Sequence, residues 1–128
     1  MRYYAYSPLA RGVLTGKFGG SADDANPMQQ RYLSSSMSEA LAGLDAACEL
    51  HNLELRAAAL RWLVYHSSLD PTCGDGVILG ASSLAQIKDN ALAASAGPLP
   101  REVVDAFDDA NAVLHPVATY PFHQAMPL

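Results

Sequence analysis

Four stretches of the chain carry apolar residues at intervals of three and four, the spacing that places side chains on one helix face. The first is predicted over residues 36–51, where residues 36–39 have the S-x-x-E pattern of a capping box. Further helices are predicted over residues 55–67, over residues 84–96, and from near Pro100. The residues that mark the four helices are Met37, Leu41, Leu44, Cys48, Leu60, Leu63, Val64, Leu84, Ile87, Ala91, Val103, Phe107, Ala110 and Leu114.

Two short runs have the character of strands. Residues 2–6 are rich in tyrosine, and Ser7-Pro8 ends the run because a residue before proline avoids the helical region. Residues 77–79 are predicted to form a second, buried strand. Strands that alternate with helices predict an α/β fold with a parallel sheet. Two strands alone leave both edges of the sheet open and bury little surface, so we do not expect them to stand alone.

Two segments show neither pattern. Residues 18–33 lack an apolar period and predict a long loop, which in a compact domain usually has a function. Residues 115–128 contain three prolines and predict an irregular tail. The whole chain, residues 1–128, is interpreted as one domain.

The composition narrows the classes of partner. Thirteen Asp and Glu outweigh eight Lys and Arg for a net charge of −5, which argues against nucleic acid and anionic membranes. No run approaches the ~20 apolar residues that span a bilayer, and no signal peptide is recognised, so a cytoplasmic protein is expected. Cys48 and Cys73 are expected to be free thiols, with a disulfide as the alternative. The four histidines have no metal or triad spacing, so no metal site is assigned.

The end of the second strand has the pattern of an anion site. Gly80 is followed by two serines, and a helix begins at once. The first N–H groups of a helix have no intrahelical partner, and small residues let a phosphate approach them. Ser82 and Ser83 equally suit a simple N-cap, since Ser83 and Gln86 form a second capping-box pattern. Both interpretations stay open at this point.

Four segments, in order, resemble parts of the aldo-keto reductases. Residues 4–17 (YAYSPLARGVLTGK) resemble their seventh strand and following loop, and residues 59–63 (ALRWL) resemble the second half of their seventh helix. Residues 77–90 resemble the eighth strand and helix. Residues 97–107 are most similar to the aflatoxin-aldehyde reductase branch. The resemblance covers about residues 2–114.

The resemblance implies a (β/α)8 barrel that reduces aldehydes and ketones with NADPH. Residues 6–16 would lie along the nicotinamide ribose and pyrophosphate, and residues 80–90 would hold the adenosine and its 2′-phosphate. In such barrels, the loops after strands seven and eight commonly bind phosphate. The residues implied to bind the cofactor are Tyr6, Ser7, Pro8, Leu9, Gly12, Leu14, Gly16, Lys17, Arg31, Gly80, Ala81, Ser82, Ser83, Gln86 and Asn90.

Several of these residues also have a purely structural interpretation. Ser7 either contacts the cofactor or only ends a strand, and Lys17 either meets phosphate or is simply solvated. Arg31 would have to reach the cofactor from the long loop. Gln86 stands where many family members carry arginine, which weakens the phosphate assignment. Arg61 and Trp62 are interpreted as an outer ion pair and as helix packing.

The resemblance does not extend to the family's catalytic Asp, Tyr, Lys and His, so no catalytic residue is assigned. A complete barrel takes ~250 residues, and the 128 residues here match its last two β/α units, C-terminal helix and tail, a truncated barrel. We expect such a fragment to be inactive alone and to act on a carbonyl substrate only when an N-terminal half completes it. Whether its NADPH affinity is kept, weakened or lost stays open at this point. The alternatives are half of a split barrel, a non-catalytic binding or scaffold protein that oligomerises through open strand edges, and part of a longer chain.

Overall fold

A computed structural model describes residues 1–16 and 35–115. Lys17, Arg31 and the predicted tail beyond His115 lie outside the described residues. Within these residues two strands and four helices follow in the predicted order, with parallel strands as expected for an α/β fold, and two 3₁₀ segments lie between them. They are β1 (Tyr4–Ala5), a first 3₁₀ segment (Ala10–Thr15), α1 (Ser35–Leu50), α2 (Leu55–Tyr65), a second 3₁₀ segment (Pro71–Cys73), β2 (Gly76–Val77), α3 (Leu84–Ala94) and α4 (Arg101–Leu114).

The two strands pair in parallel, with Tyr4 opposite Gly76 and Ala5 opposite Val77. The turn before β2 supports this pairing, because the carboxylate of Asp75 accepts the N–H of Tyr3 at 2.8 Å. Both strands are shorter than predicted, and the prediction of a buried second strand is wrong: Ile78 is 54% exposed. Within the described residues each strand has a single neighbour, so no strand pairs with either outer edge of the sheet.

The core lies between α1 and α4, and the apolar stripes predicted for these helices face it. Leu41, Leu44 and Cys48 of α1 are buried against Val103 and Ala110 of α4. The partly buried Met37 and Phe107 pack against this cluster. The capping box predicted at residues 36–39 is wrong, because Ser35 is already helical and Ser36 therefore lies inside the first turn.

Helix α2 connects the core to the remaining elements through Leu55, Ala58 and Leu60, which are buried. The predicted packing role of Trp62 is confirmed, since its ring stacks on Phe107 with the centroids 5.8 Å apart.

The segment between α3 and α4 is held by side chains of α2. The predicted ion pair of Arg61 is wrong: its guanidinium donates to the backbone carbonyls of Gly97 and Pro98. Nε2 of His66 accepts the N–H of Leu99 at 2.9 Å. Gly97 takes a left-handed φ of 89°, so the chain breaks between the helices where the sequence predicted. These contacts fix α3 relative to α2, and α3 carries one wall of the candidate site.

None of the helices in the described part of the chain combines the length and the apolar character that a membrane span requires.

Candidate functional site

A cavity of about 870 Å³ lies where the segments that leave β1 and β2 meet. The strands are parallel, so their carboxyl ends share one edge of the sheet, and the two segments after them come together there. Most of the cofactor-binding residues predicted from both segments line this cavity. They are Tyr6, Ser7, Pro8, Leu9, Gly12, Gly80, Ser82, Gln86 and Asn90.

Four other predicted residues lie close by but do not line the cavity. Leu14 is half-buried and packs against the core, and Gly16 ends the first 3₁₀ segment in a left-handed conformation. Ala81 is exposed, and Ser83 caps α3. Lys17 and Arg31 are outside the described residues, so their predicted contacts stay predictions.

The wall after β1 is a sharply curved backbone. Ser7, Ala10 and Arg11 have φ values of 53°, 46° and 56°, and Gly12 follows at 94°. A left-handed conformation costs roughly 1–2 kcal/mol for a residue with a side chain. Two backbone bonds support the turn, from Ala10 N–H to the carbonyl of Ser7 at 2.9 Å and from Gly12 N–H to that of Leu9 at 2.8 Å. Backbone held in such a conformation is concentrated at binding sites in proteins.

The opposite wall is the beginning of α3, where the capping alternative is confirmed. Oγ of Ser83 accepts the N–H of Gln86 at 3.2 Å. Oε1 of Gln86 accepts the N–H of Ser82 at 3.0 Å and its hydroxyl at 2.8 Å. The return bond therefore reaches Ser82, not the N-cap residue itself. These polar groups satisfy one another, while the N–H groups of Leu84 and Ala85 have no acceptor within the helix.

Sequence reasoning missed an ionic pair on the cavity wall. Arg56, in the first turn of α2, donates from one terminal nitrogen to Oδ1 of Asn90 at 2.7 Å and from the other to Oε2 of Glu54 at 2.8 Å. Asn90 is only 5% exposed and is the buried residue of α3. Glu54 stands at the N-cap of α2, yet its side chain makes no capping bond there. The sequence signal that could have indicated this pair is the charged Arg56 within an otherwise apolar helical run.

The remaining residues of the cavity wall were not named individually as cofactor-binding residues. Arg11, Thr15 and Asp89 lie within the two segments assigned to the cofactor, and Ile78 and Leu79 lie just before the second segment. With Glu54 and Arg56, the charged residues on the wall are two cations and two anions. These four charges balance, and the wall also carries apolar side chains. The cavity can therefore accommodate a ligand that has both polar and apolar parts.

Two groups with shifted pKa values lie away from this cavity. Burial, with a smaller effect from the Asp45 carboxylate, raises the pKa of the Cys48 thiol to about 11. Hydrogen bonds from Thr72 lower the pKa of Asp70 in the turn before β2.

Both cysteines are free thiols, as predicted. Among residues 1–16 and 35–115, no three His, Cys, Asp or Glu residues form a group that could hold a metal ion.

The family model described as "Aldo/keto reductase family" matches residues 1–112. Aflatoxin B1 aldehyde reductase member 2 of Rattus norvegicus is 38% identical over 138 residues, which cover 94% of this chain and 38% of the rat protein. Aldo-keto reductase family 7 member A3 of Homo sapiens is 38% identical over 140 residues, with 94% and 42% covered. Aldo-keto reductase pigE of Monascus ruber is 34% identical over 131 residues, with 91% and 38% covered. The chain thus spans about two fifths of the length of these relatives.

Proposed function

Because the chain belongs to the aldo/keto reductase family, we propose that it forms the NADPH-binding end of a barrel that reduces carbonyl compounds. The family implies a TIM-barrel-type α/β fold. In this proposal β1 and β2 are the last two strands of the barrel, α4 is the C-terminal helix, and residues beyond 115 form the tail. The other strands would come from the same polypeptide or from a separate chain.

One observation carries the proposal: the cavity joins the two segments that the sequence assigned to the two halves of the cofactor. Its walls fit a dinucleotide in chemistry. Ser7 and Gly12 offer a curved backbone toward the nicotinamide half, and the beginning of α3 offers N–H groups toward the phosphate of the adenosine half. Asn90 supplies a buried amide one helical turn beyond Gln86.

Bound NADPH supplies the hydride for the carbonyl carbon. The described residues bind and orient that cofactor, and the acid that protonates the carbonyl oxygen would come from the strands beyond this chain. Tyr6 is the tyrosine on the cavity wall, but it does not correspond to the family's acid, and we assign it a binding role. The names of the relatives make aldehydes the first substrate class to test.

The test is NADPH binding and turnover by the purified 128-residue chain. We expect NADPH fluorescence to change on binding, with no steady turnover of a panel of aldehydes and quinones. Ser82→Glu places a carboxylate on the phosphate wall and should weaken binding, while Ser68→Glu, at an exposed position away from the cavity, should not. Equal NADPH binding by both variants would contradict the proposed cofactor site. Sustained turnover by the chain alone would contradict the proposal that the catalytic acid comes from strands beyond this chain.

A second function, as one half of a split barrel or as a scaffold, is favoured by the open sheet. In the described residues β1 and β2 pair only with each other, and Tyr4 in β1 and Ile78 just after β2 are 53% and 54% exposed. Unpaired strand edges bind further strands readily. Co-expression with the N-terminal part of a relative should give a soluble, active complex. A homo-oligomer by light scattering that binds no NADPH would favour the scaffold.

A further inference from the structure

Arg56 is one of two cations on the described part of the cavity wall, and it is bonded directly to α3. Its guanidinium is bonded to Asn90, and Asn90 lies one helical turn beyond Gln86 on the same side of α3. The wall formed by Ser82 and Gln86 carries no charge, and their polar side chains bond to each other. Among the described residues, the guanidinium of Arg56 is therefore a positive charge that this wall can offer to a dianionic group.

The bonds of Arg56 leave capacity for such a group. A guanidinium has five N–H donors in a planar fork, and the bonds to Asn90 and Glu54 occupy two of them. The bond to Asn90 is the fixed one, since Asn90 is 5% exposed and its amide oxygen must face a group that can only donate. Asn90 thus sets the direction of the fork.

The bond to Glu54 is the replaceable one. The Glu54 side chain is 72% exposed, against 25% for Arg56. Ion pairs with an exposed partner contribute little, typically under ~1 kcal/mol, because water competes for both groups. A phosphate monoester carries up to two negative charges and accepts bidentate bonds from arginine, so it competes well with a single exposed carboxylate.

We propose that Arg56 recognises a phosphate monoester on the adenosine half of the ligand, and that Glu54 competes with that phosphate for the guanidinium. The inference rests on the proposed NADPH site and deepens it. It makes Arg56 the residue that distinguishes NADPH from NADH, and it gives Glu54 the opposite effect on affinity.

The experiment compares ligands that differ only in one phosphate: NADPH with NADH, and adenosine 2′,5′-bisphosphate with AMP. Arg56→Met should weaken both 2′-phosphate ligands by about tenfold to a hundredfold, the loss expected for hydrogen bonds from a charged donor. NADH and AMP should change by less than about twofold. Glu54→Gln should tighten the 2′-phosphate ligands by up to about fivefold, the value of an exposed ion pair.

The matched control is a second Arg–carboxylate pair of the same length outside the cavity, Arg101 and Asp105 of α4, at 2.8 Å. Arg101→Met and Asp105→Asn should leave all four affinities unchanged. If Arg56→Met fails to fold because Asn90 loses its partner, Arg56→Lys and Glu54→Gln still test the idea, with weaker and tighter 2′-phosphate binding respectively.

The outcomes separate the inference from the function on which it rests. Equal loss of NADPH and NADH in the Arg56 variants, or weaker NADPH binding by Glu54→Gln, overturns the inference and leaves the dinucleotide site standing. Equal affinity of the wild-type protein for NADPH and NADH also overturns the inference about Arg56 and leaves the dinucleotide site standing. Wild-type protein that binds neither dinucleotide overturns both.

Discussion

The buried thiol of Cys48 makes the stability of the protein depend on pH above pH 9. The side chain is fully buried in the core, and its pKa is raised to about 11 against an ordinary value of 9.0. The unfolded chain therefore ionises this thiol first. Its contribution to stability is complete below pH 9 and is lost as the pH rises from 9 through 11. One pKa unit corresponds to about 1.4 kcal/mol, so the loss should reach about 2 kcal/mol near pH 10.5.

The assay is denaturant unfolding at several pH values from 7.5 to 10.5. Cys73→Ser serves as the reference because it removes the exposed thiol, and Cys48→Ala on that background removes the buried one. Every other ionisable group is common to both proteins, so its effect on the free energy of unfolding cancels in the difference. The free energies of unfolding should converge as the pH rises. Parallel curves would refute the reasoning, as would modification of Cys48 by iodoacetamide at the rate of Cys73 in the native protein.

Three further predictions concern stability and use the midpoint of thermal unfolding or denaturant titration. Ser83→Ala removes the side-chain cap of α3 and should cost about 1 kcal/mol; no change would mean that the cap is not formed in solution. Leu60 is 1% exposed, so Leu60→Ala should lower the free energy of unfolding by about 2–5 kcal/mol. Leu92 is 72% exposed, so Leu92→Ala should change it by under about 0.5 kcal/mol. Equal effects of the two substitutions would contradict the packing. Arg61→Met removes the bonds to the carbonyls between α3 and α4 and should lower the free energy of unfolding by about 2 kcal/mol. The control Arg101→Met should lower it little. No change in Arg61→Met would show that these bonds do not hold the segment.

The four helices and their order could be predicted from the sequence because helix formation depends on local spacing. The stripes of α1 and α4 face the core as expected, and Gly97 and Pro100 mark the break and the start that were predicted. The family was recognised from ordered local motifs, and the match to residues 1–112 confirms it. The roles of the individual cofactor residues stay predictions.

Errors arose where a property depended on distant parts of the chain. The second strand was expected to be buried, but burial depends on what packs on the sheet, and Ile78 is 54% exposed. The partner of Arg61 is a pair of backbone carbonyls 36 and 37 residues away, which no local pattern indicates.

The candidate site also combines features that local sequence predicts with features that depend on tertiary packing. Its two walls were visible as local motifs, a Gly-containing loop after β1 and a capped helix start after β2. That the walls enclose one cavity was decided by the parallel pairing of β1 and β2, which brings residues more than 70 positions apart together. The bond from Arg56 to Asn90 spans 34 residues and exists only because α2 and α3 pack side by side. Local sequence therefore determined the elements and the groups they carry, and tertiary packing alone decided which of those groups meet.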